Sequence, residues 1–283
     1  MIPMAFDYEV AESVDHAIDL LGQHGEDSKL LAGGHSLIPI MRLRLAAPTV
    51  LIDLGRLEEL RYVRDGGDHL AIGAMTRHRD LLFNDLVKEH CGIVGWTAGL
   101  LGDPSVQHRG TLGGTLAHGD SSGDMPSVIT ALEGELTIKG PDGERTVKAA
   151  DFFQDYMMTA LGEQEVVTEV RVPKLGQNTG WSYKKFSRRS QDWATVGVAA
   201  IVERSNGSIG SARISLTSMG ATPIRATAVE QALSGAGPDA VAEAAQSADE
   251  GTSPSSDDAA SAEFRRHLAR VWTRRAVEEA LNR

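Results

Sequence analysis

Ala32-Gly33-Gly34-His35-Ser36 is the stretch on which the reading of the fold turns. A short apolar approach, Lys29-Leu30-Leu31-Ala32, runs into it and reads as a strand entering a turn. Two consecutive glycines let the backbone turn tightly and bring its N–H groups close to an anion. Ser36 adds a hydroxyl donor. A plain structural turn bearing a surface histidine is the competing reading, because paired glycines are common in loops.

A second segment, Thr111-Leu112-Gly113-Gly114-Thr115, repeats the logic: a Gly-Gly turn flanked by hydroxyls. It is followed by His118-Gly119-Asp120 and by Asp124, which is suited either to accept hydrogen bonds from a ribose or to cap the helix expected from Pro126 to Leu132. Two such turns fit a dinucleotide pyrophosphate gripped from both sides. Neither G-x-G-x-x-G nor G-x-x-x-x-G-K occurs in the chain, so a bound dinucleotide requires another architecture. His118 and Asp120 alone do not make a metal site, since no further histidine or carboxylate pattern completes one.

Outward from these segments the chain divides into three. Residues 1–56 read as a small α/β unit. Ser13 caps a helix carrying Val14, Ala17, Ile18 and Leu21, and Thr49 to Leu54 forms a strand. Residues 57–175 hold a strand at Leu70 to Ala74, a helix from Arg77 to Leu86, the glycine-rich loop at Thr111, a hairpin about Gly140-Pro141-Asp142-Gly143, and a closing strand from Val166 to Val172. Residues 176–283 open on three antiparallel strands, Trp181 to Ser187, Ala194 to Arg204 and Ser208 to Ser218, with Asn206-Gly207 as a hairpin turn. Helices are expected from Ile224 to Leu233 and from Glu263 to Leu281. The stretch between, Gly235 to Ser261, reads as one weak helix and a mobile loop.

Composition narrows the function. With 283 residues, 41% hydrophobic and 24% charged, the chain is an ordinary globular protein, and a net charge of -11 without a basic face argues against a nucleic-acid partner. No apolar run is long enough to span a bilayer, and Met1 to Val10 lacks the basic and apolar regions of a signal peptide. The cytoplasm is the expected location. The single cysteine, Cys91, rules out an iron–sulfur cluster with about four thiolate ligands on this chain alone.

Five stretches, in order, resemble the FAD-binding medium subunits of the xanthine dehydrogenase and aerobic carbon monoxide dehydrogenase family of molybdenum hydroxylases. They are Ala32 to Pro39, His108 to Thr115, His118 to Met125, Tyr183 to Ala194, and the ending with Pro254 to Asp257, Glu263 to Arg266 and Arg274-Arg275. The resemblance implies an α+β fold: a two-subdomain FAD-binding domain of the vanillyl-alcohol oxidase type, then a C-terminal three-stranded antiparallel sheet with helices. It implies a non-covalent FAD whose pyrophosphate lies on Ala32, Gly33, Gly34, His35 and Ser36 and on Thr111, Leu112, Gly113, Gly114 and Thr115, with Leu37 also contacting the cofactor. Asp124 would hold the adenosine ribose, while Val167 and Lys184 approach the flavin. Thr115 departs from the usual Asn or Ser but keeps a hydroxyl. Trp193 and Tyr183 are read either as neighbours of the ring or as core.

The same resemblance implies partners: a large subunit with a molybdopterin cofactor, where substrate is oxidised, and a small subunit with two [2Fe-2S] clusters. Electrons would pass through the clusters to FAD and on to a quinone, NAD or another acceptor, in a dimer of heterotrimers that leaves association with the inner membrane face open. No catalytic residue is expected on this chain, and carbon monoxide is the first substrate to test. Two rivals stand beside this reading. One is a self-sufficient flavin oxidase or reductase of the same fold superfamily, in which His35 would carry FAD covalently. The other is a non-catalytic phosphate- or nucleotide-binding module.

Overall fold

The computed structural model describes residues 2–283; Met1, with which the first segment opens, lies outside the described residues. In the first unit, β1 (Asp7–Val10), β3 (Val50–Asp53) and β2 (Ser28–Leu31) form a parallel sheet in the order β1-β3-β2. α1 (Val14–His24) crosses between β1 and β2, and α2 (Leu37–Arg42) follows the first glycine pair. The Ser13 side chain accepts the His16 N–H at 3.0 Å and so caps α1 as its sequence predicts. The edge strand β1, which the sequence reading did not anticipate, is recruited by backbone pairing to β3.

The second unit is a five-stranded antiparallel sheet in the order β4-β5-β10-β6-β7, built from Val63–Asp65, His69–Gly73, Val166–Pro173, Glu135–Gly140 and Gly143–Lys148. The single helix expected over Arg77 to Leu86 is two, α3 (His78–Phe83) and α4 (Asp85–His90). Asn84 lies between them in extended conformation and caps α4 by accepting the Val87 N–H at 3.1 Å. α5 (Gly92–Leu100) and α6 (Pro104–Arg109) follow, then α7 (Leu112–His118) and α8 (Asp124–Ala131). A short α9 (Ala149–Phe152) leads into the small β8 (Phe153–Asp155) and β9 (Met158–Thr159) pair.

The C-terminal sheet has four strands rather than three, ordered β11 (Thr179–Phe186), β12 (Val196–Ser205), β13 (Ser208–Thr217) and β14 (Ile224–Arg225). Ile224 and Arg225 pair with Leu216 and Ser215, so the helix expected from Ile224 starts only at α10 (Thr227–Leu233). Asn206 and Gly207 both adopt positive φ, 50° and 83°, as the tight hairpin between β12 and β13 requires. α10 and the long α12 (Ala262–Leu281) cover one face, and a short α11 (Val241–Ala244) packs against both helices. The loop ahead of α12 is tied down rather than free. Ser253 N–H donates to Met219 O at 2.9 Å, and Arg265 and Arg270 hold Asp257 and Asp249 at 2.6 Å.

Alternation along single strands joins the units. Val166 packs in the core of the first unit and Val167 in that of the second. On β12, Ala199 and Ile201 belong to the second unit's core, while Val198, Ala200 and Val202 face the C-terminal helices.

Candidate functional site

The two glycine pairs meet back to back. A Cβ on Gly33 would lie 2.2 Å from the Arg109 carbonyl oxygen, and one on Gly34 would sit on a backbone with φ +74°. The first glycine is therefore required by space and the second by conformation. A Cβ on Gly113 would lie 2.5 Å from that of Ala74, and one on Gly114 would lie 3.3 Å from that of Ala32.

The second glycine pair is not in a loop. Thr111 caps α7, its hydroxyl accepting the Gly114 N–H at 3.2 Å, and both glycines lie in the helix's first turn. Glycine's poor helix propensity favours the loop reading. Tertiary bonds from Leu112 N–H to Thr76 O (3.0 Å) and from Gly113 N–H to Ala74 O (2.9 Å) override it. Those bonds, with Gly114 N–H on the Thr111 hydroxyl and Thr115 N–H on Thr111 O, spend every amide from Leu112 to Thr115, so this turn brings to the cavity the open space of its glycines and the Thr115 hydroxyl rather than the free N–H groups its sequence predicts. Leu112 itself is fully buried in the core, away from the cavity.

Between the segments lies a cavity of about 680 Å³, within the range of small-molecule sites. Both glycine pairs line it, as do Thr115, Asp124 and Val167. Among the described residues, the N–H groups of Gly33, Gly34, His35, Ser36 and Leu37 donate to no protein acceptor. Five successive unpaired amides at a cavity wall form a concave donor surface suited to an anion with several oxygens. Crowded glycines, free amides and apolar walls fit a group of the size and chemistry of FAD. Trp193, 59% exposed, closes one edge of the cavity from the C-terminal sheet's side, so its reading as core does not hold.

Asp124 is buried and both its carboxylate oxygens are engaged. The Tyr183 hydroxyl donates to one at 2.6 Å and the Lys185 ammonium to the other at 2.8 Å. Burial pushes this carboxyl above its ordinary range, while the lysine and the tyrosine hydroxyl pull the other way. Asp124 does not cap α8; Gly123 occupies that position and Asp124 is the first helical residue. The Tyr183 hydroxyl has room because residue 197 is glycine: a Cβ there would stand 2.4 Å from its oxygen. Lys184 lies on the opposite face of β11, paired with Glu279 of α12, and does not line the cavity; Lys185 does. Alternation counted from the inward-facing Tyr183 would have selected Lys185.

Sequence reasoning also passed over His78. It is 2% exposed at the start of α3, lines the cavity, and places Nε2 2.9 Å from Thr115 Oγ1. Its only signal in the sequence was a histidine where a helix begins. Among the described residues no cluster of three or more His, Cys, Asp or Glu side chains could hold a metal ion. Cys91 is buried, which pushes its thiol up to about 12.

The family model for the FAD binding domain in molybdopterin dehydrogenase matches residues 4–175, and that for the CO dehydrogenase flavoprotein C-terminal domain matches residues 181–280. The chain is 41% identical to the carbon monoxide dehydrogenase medium chain of Hydrogenophaga pseudoflava over 99% of its own length and 98% of that protein's. It is 39% identical, with the same coverage, to the medium chain from Afipia carboxidovorans. A solved structure of carbon monoxide dehydrogenase from Hydrogenophaga pseudoflava, lacking the Mo-pyranopterin moiety of its cofactor, superposes with a TM-score of 0.98 at 43% identity, covering 100% of this chain and 99% of that one. Matched in both halves and over its whole length, the chain belongs to the family of FAD-binding medium subunits of the molybdenum hydroxylases.

Proposed function

We propose that this chain is the electron-exit subunit of a carbon monoxide dehydrogenase-like complex. It would bind one FAD non-covalently, with the diphosphate on Gly33 to Leu37 and on Gly113 to Thr115. Val167 would border the flavin, and Asp124, held by Tyr183 and Lys185, would face the ribose. The observation that carries the reading is the run of free amides from Gly33 to Leu37 opposite the glycine-bearing turn of α7, in one cavity. When bound, FAD supplies the redox chemistry, and the protein holds and orients it. The units proposed are residues 1–56, 57–175 and 176–283.

The partners in this proposal are a large molybdopterin subunit and a small [2Fe-2S] subunit, arranged as a dimer of heterotrimers, with a quinone, NAD or another external acceptor. Carbon monoxide is the first substrate to test, supported by the names of the relatives. No helix among the described residues is long and apolar enough to cross a membrane, so any membrane association would come through the complex. The test is anaerobic stopped-flow absorbance of the flavin band. Carbon monoxide should bleach it only when the large and small subunits are present. Turnover by the isolated chain would replace the reading with a self-sufficient flavoenzyme, and colour that stays in the pellet after acid precipitation would point to a covalent link at His35.

A further inference from the structure

We propose that His78 is a positioning residue for the FAD diphosphate: its Nε2–H donates to Thr115 Oγ1 and so leaves the threonine's own proton free for a phosphate oxygen. The proposal rests on the reading that the α7 glycine turn binds the diphosphate.

A threonine inside a helix commonly bonds its hydroxyl to the carbonyl four residues back, as Thr130 does to Pro126 O at 2.8 Å. Thr115 instead lies 2.9 Å from His78 Nε2, with both residues on the cavity wall. The imidazole is fixed in place. His78 N–H donates to Gly110 O at 3.0 Å, and a Cβ on Gly110 would stand 2.9 Å from the ring's Cδ2. The histidine is thus wedged against the segment that carries the glycine pair.

A hydroxyl has one proton, so the tautomer of His78 decides what Thr115 can offer. His78 Nδ1 is buried with no partner. Were Nδ1 protonated, an N–H would stand buried without an acceptor, and Thr115 would spend its proton on Nε2 and present only lone pairs to a phosphate. With the proton on Nε2, the orphan is a bare lone pair, the less costly of the two, and Thr115 is left as a donor. Full burial pushes the imidazole down to about 4, so the doubly protonated form does not compete near neutral pH. A donor feeding the hydroxyl oxygen also polarises its proton toward the ligand.

Two measurements on the full-length chain test this. Long-range proton–nitrogen correlation NMR on the histidine-labelled flavoprotein reads the tautomer. A protonated Nε2 is expected, and a protonated Nδ1 overturns the proposal. Titration of the apoprotein with FAD, followed by flavin fluorescence, gives the second readout. Thr115→Val should weaken binding roughly 10-fold or more, the size expected for a bond to a charged acceptor. His78→Leu should weaken it by about 3- to 10-fold, and His78→Gln, which can place a donor near the same point, should recover most of the loss. In the Thr115→Val background, His78→Leu should add little. Thermal melts of each apoprotein separate a folding defect from a binding defect. If Thr115→Val binds FAD like the parent, the diphosphate reading of this turn fails. If Thr115→Val weakens binding but His78→Leu in a folded protein does not, only the role of His78 fails.

Discussion

Lys185 stands 2.8 Å from Asp124 across the junction between the C-terminal sheet and α8, and both side chains are almost fully buried. A buried pair of this kind contributes little net stability when intact, but losing one partner is costly because the other charge stays behind. Asp124→Asn or Lys185→Met alone should lower the free energy of unfolding by about 3–5 kcal/mol. The double substitution should cost well under the sum of the two. Urea denaturation of the four proteins measures this, and additive losses would show that the pair does not couple the two parts of the chain.

Gly33→Ala tests the closeness of the two glycine segments. Its Cβ would collide with the Arg109 carbonyl, which is backbone and cannot swing aside. The expected cost is about 1–3 kcal/mol, with a lower flavin-to-protein absorbance ratio. Gly34→Val should also reduce flavin content, through the strain of a β-branched residue at positive φ. Unchanged flavin occupancy in both would remove the first segment from the binding site.

His78 should give stability a pH dependence. Its imidazole falls from an ordinary 6.5 to about 4 in the folded chain because burial disfavours the charged form. Between those values the unfolded chain takes up a proton that the folded chain excludes. Its contribution is therefore fully present above pH 6.5 and is lost as pH falls toward 4, by roughly 3 kcal/mol in all. His78→Gln should flatten this part of the unfolding profile. An equal slope in the variant would mean that other groups carry it.

Metal analysis of the isolated, flavin-loaded chain should find iron and molybdenum far below one per chain. The sole cysteine is buried, with its thiol pushed up to about 12, and is poorly suited to ligate iron as thiolate. Stoichiometric iron in a preparation free of other polypeptides would overturn the assignment of clusters to a partner.

Much of the architecture was legible because local chemistry and tertiary context agree there. Ser13 caps its helix, Asn206-Gly207 turns its hairpin, and the Gly33-Gly34 turn falls where the sequence predicts. The errors fall where they diverge. β1 and β14 are strands of four and two residues, formed by pairing with a neighbour, and so carry almost no periodicity of their own. The glycines of α7 read as loop because nothing local announces the bonds to Ala74 and Thr76. The meeting of the two glycine segments at one cavity was legible from their sequence, whereas the facing of single side chains was not. Lys184 and Lys185 are neighbours on β11, and which of them faces the cavity is settled only by a residue of known direction, Tyr183, whose direction shows only in the fold. His78 was invisible because its partner Thr115 is 37 residues away.

The two-faced strand β12 has a thermodynamic consequence. Ala199 and Ile201 are part of the flavin domain's interior, while Val198, Ala200 and Val202 are part of the interior beneath α12. One stretch of chain is thus a wall of both compartments, and neither can melt without exposing apolar surface of the other. Heating should produce one cooperative calorimetric transition rather than two, although the family models divide the chain into two matched regions. A fragment cut at the boundary near residue 176 would leave the flavin domain with an uncovered apolar face, so the segments are separable in sequence and inseparable as folding units.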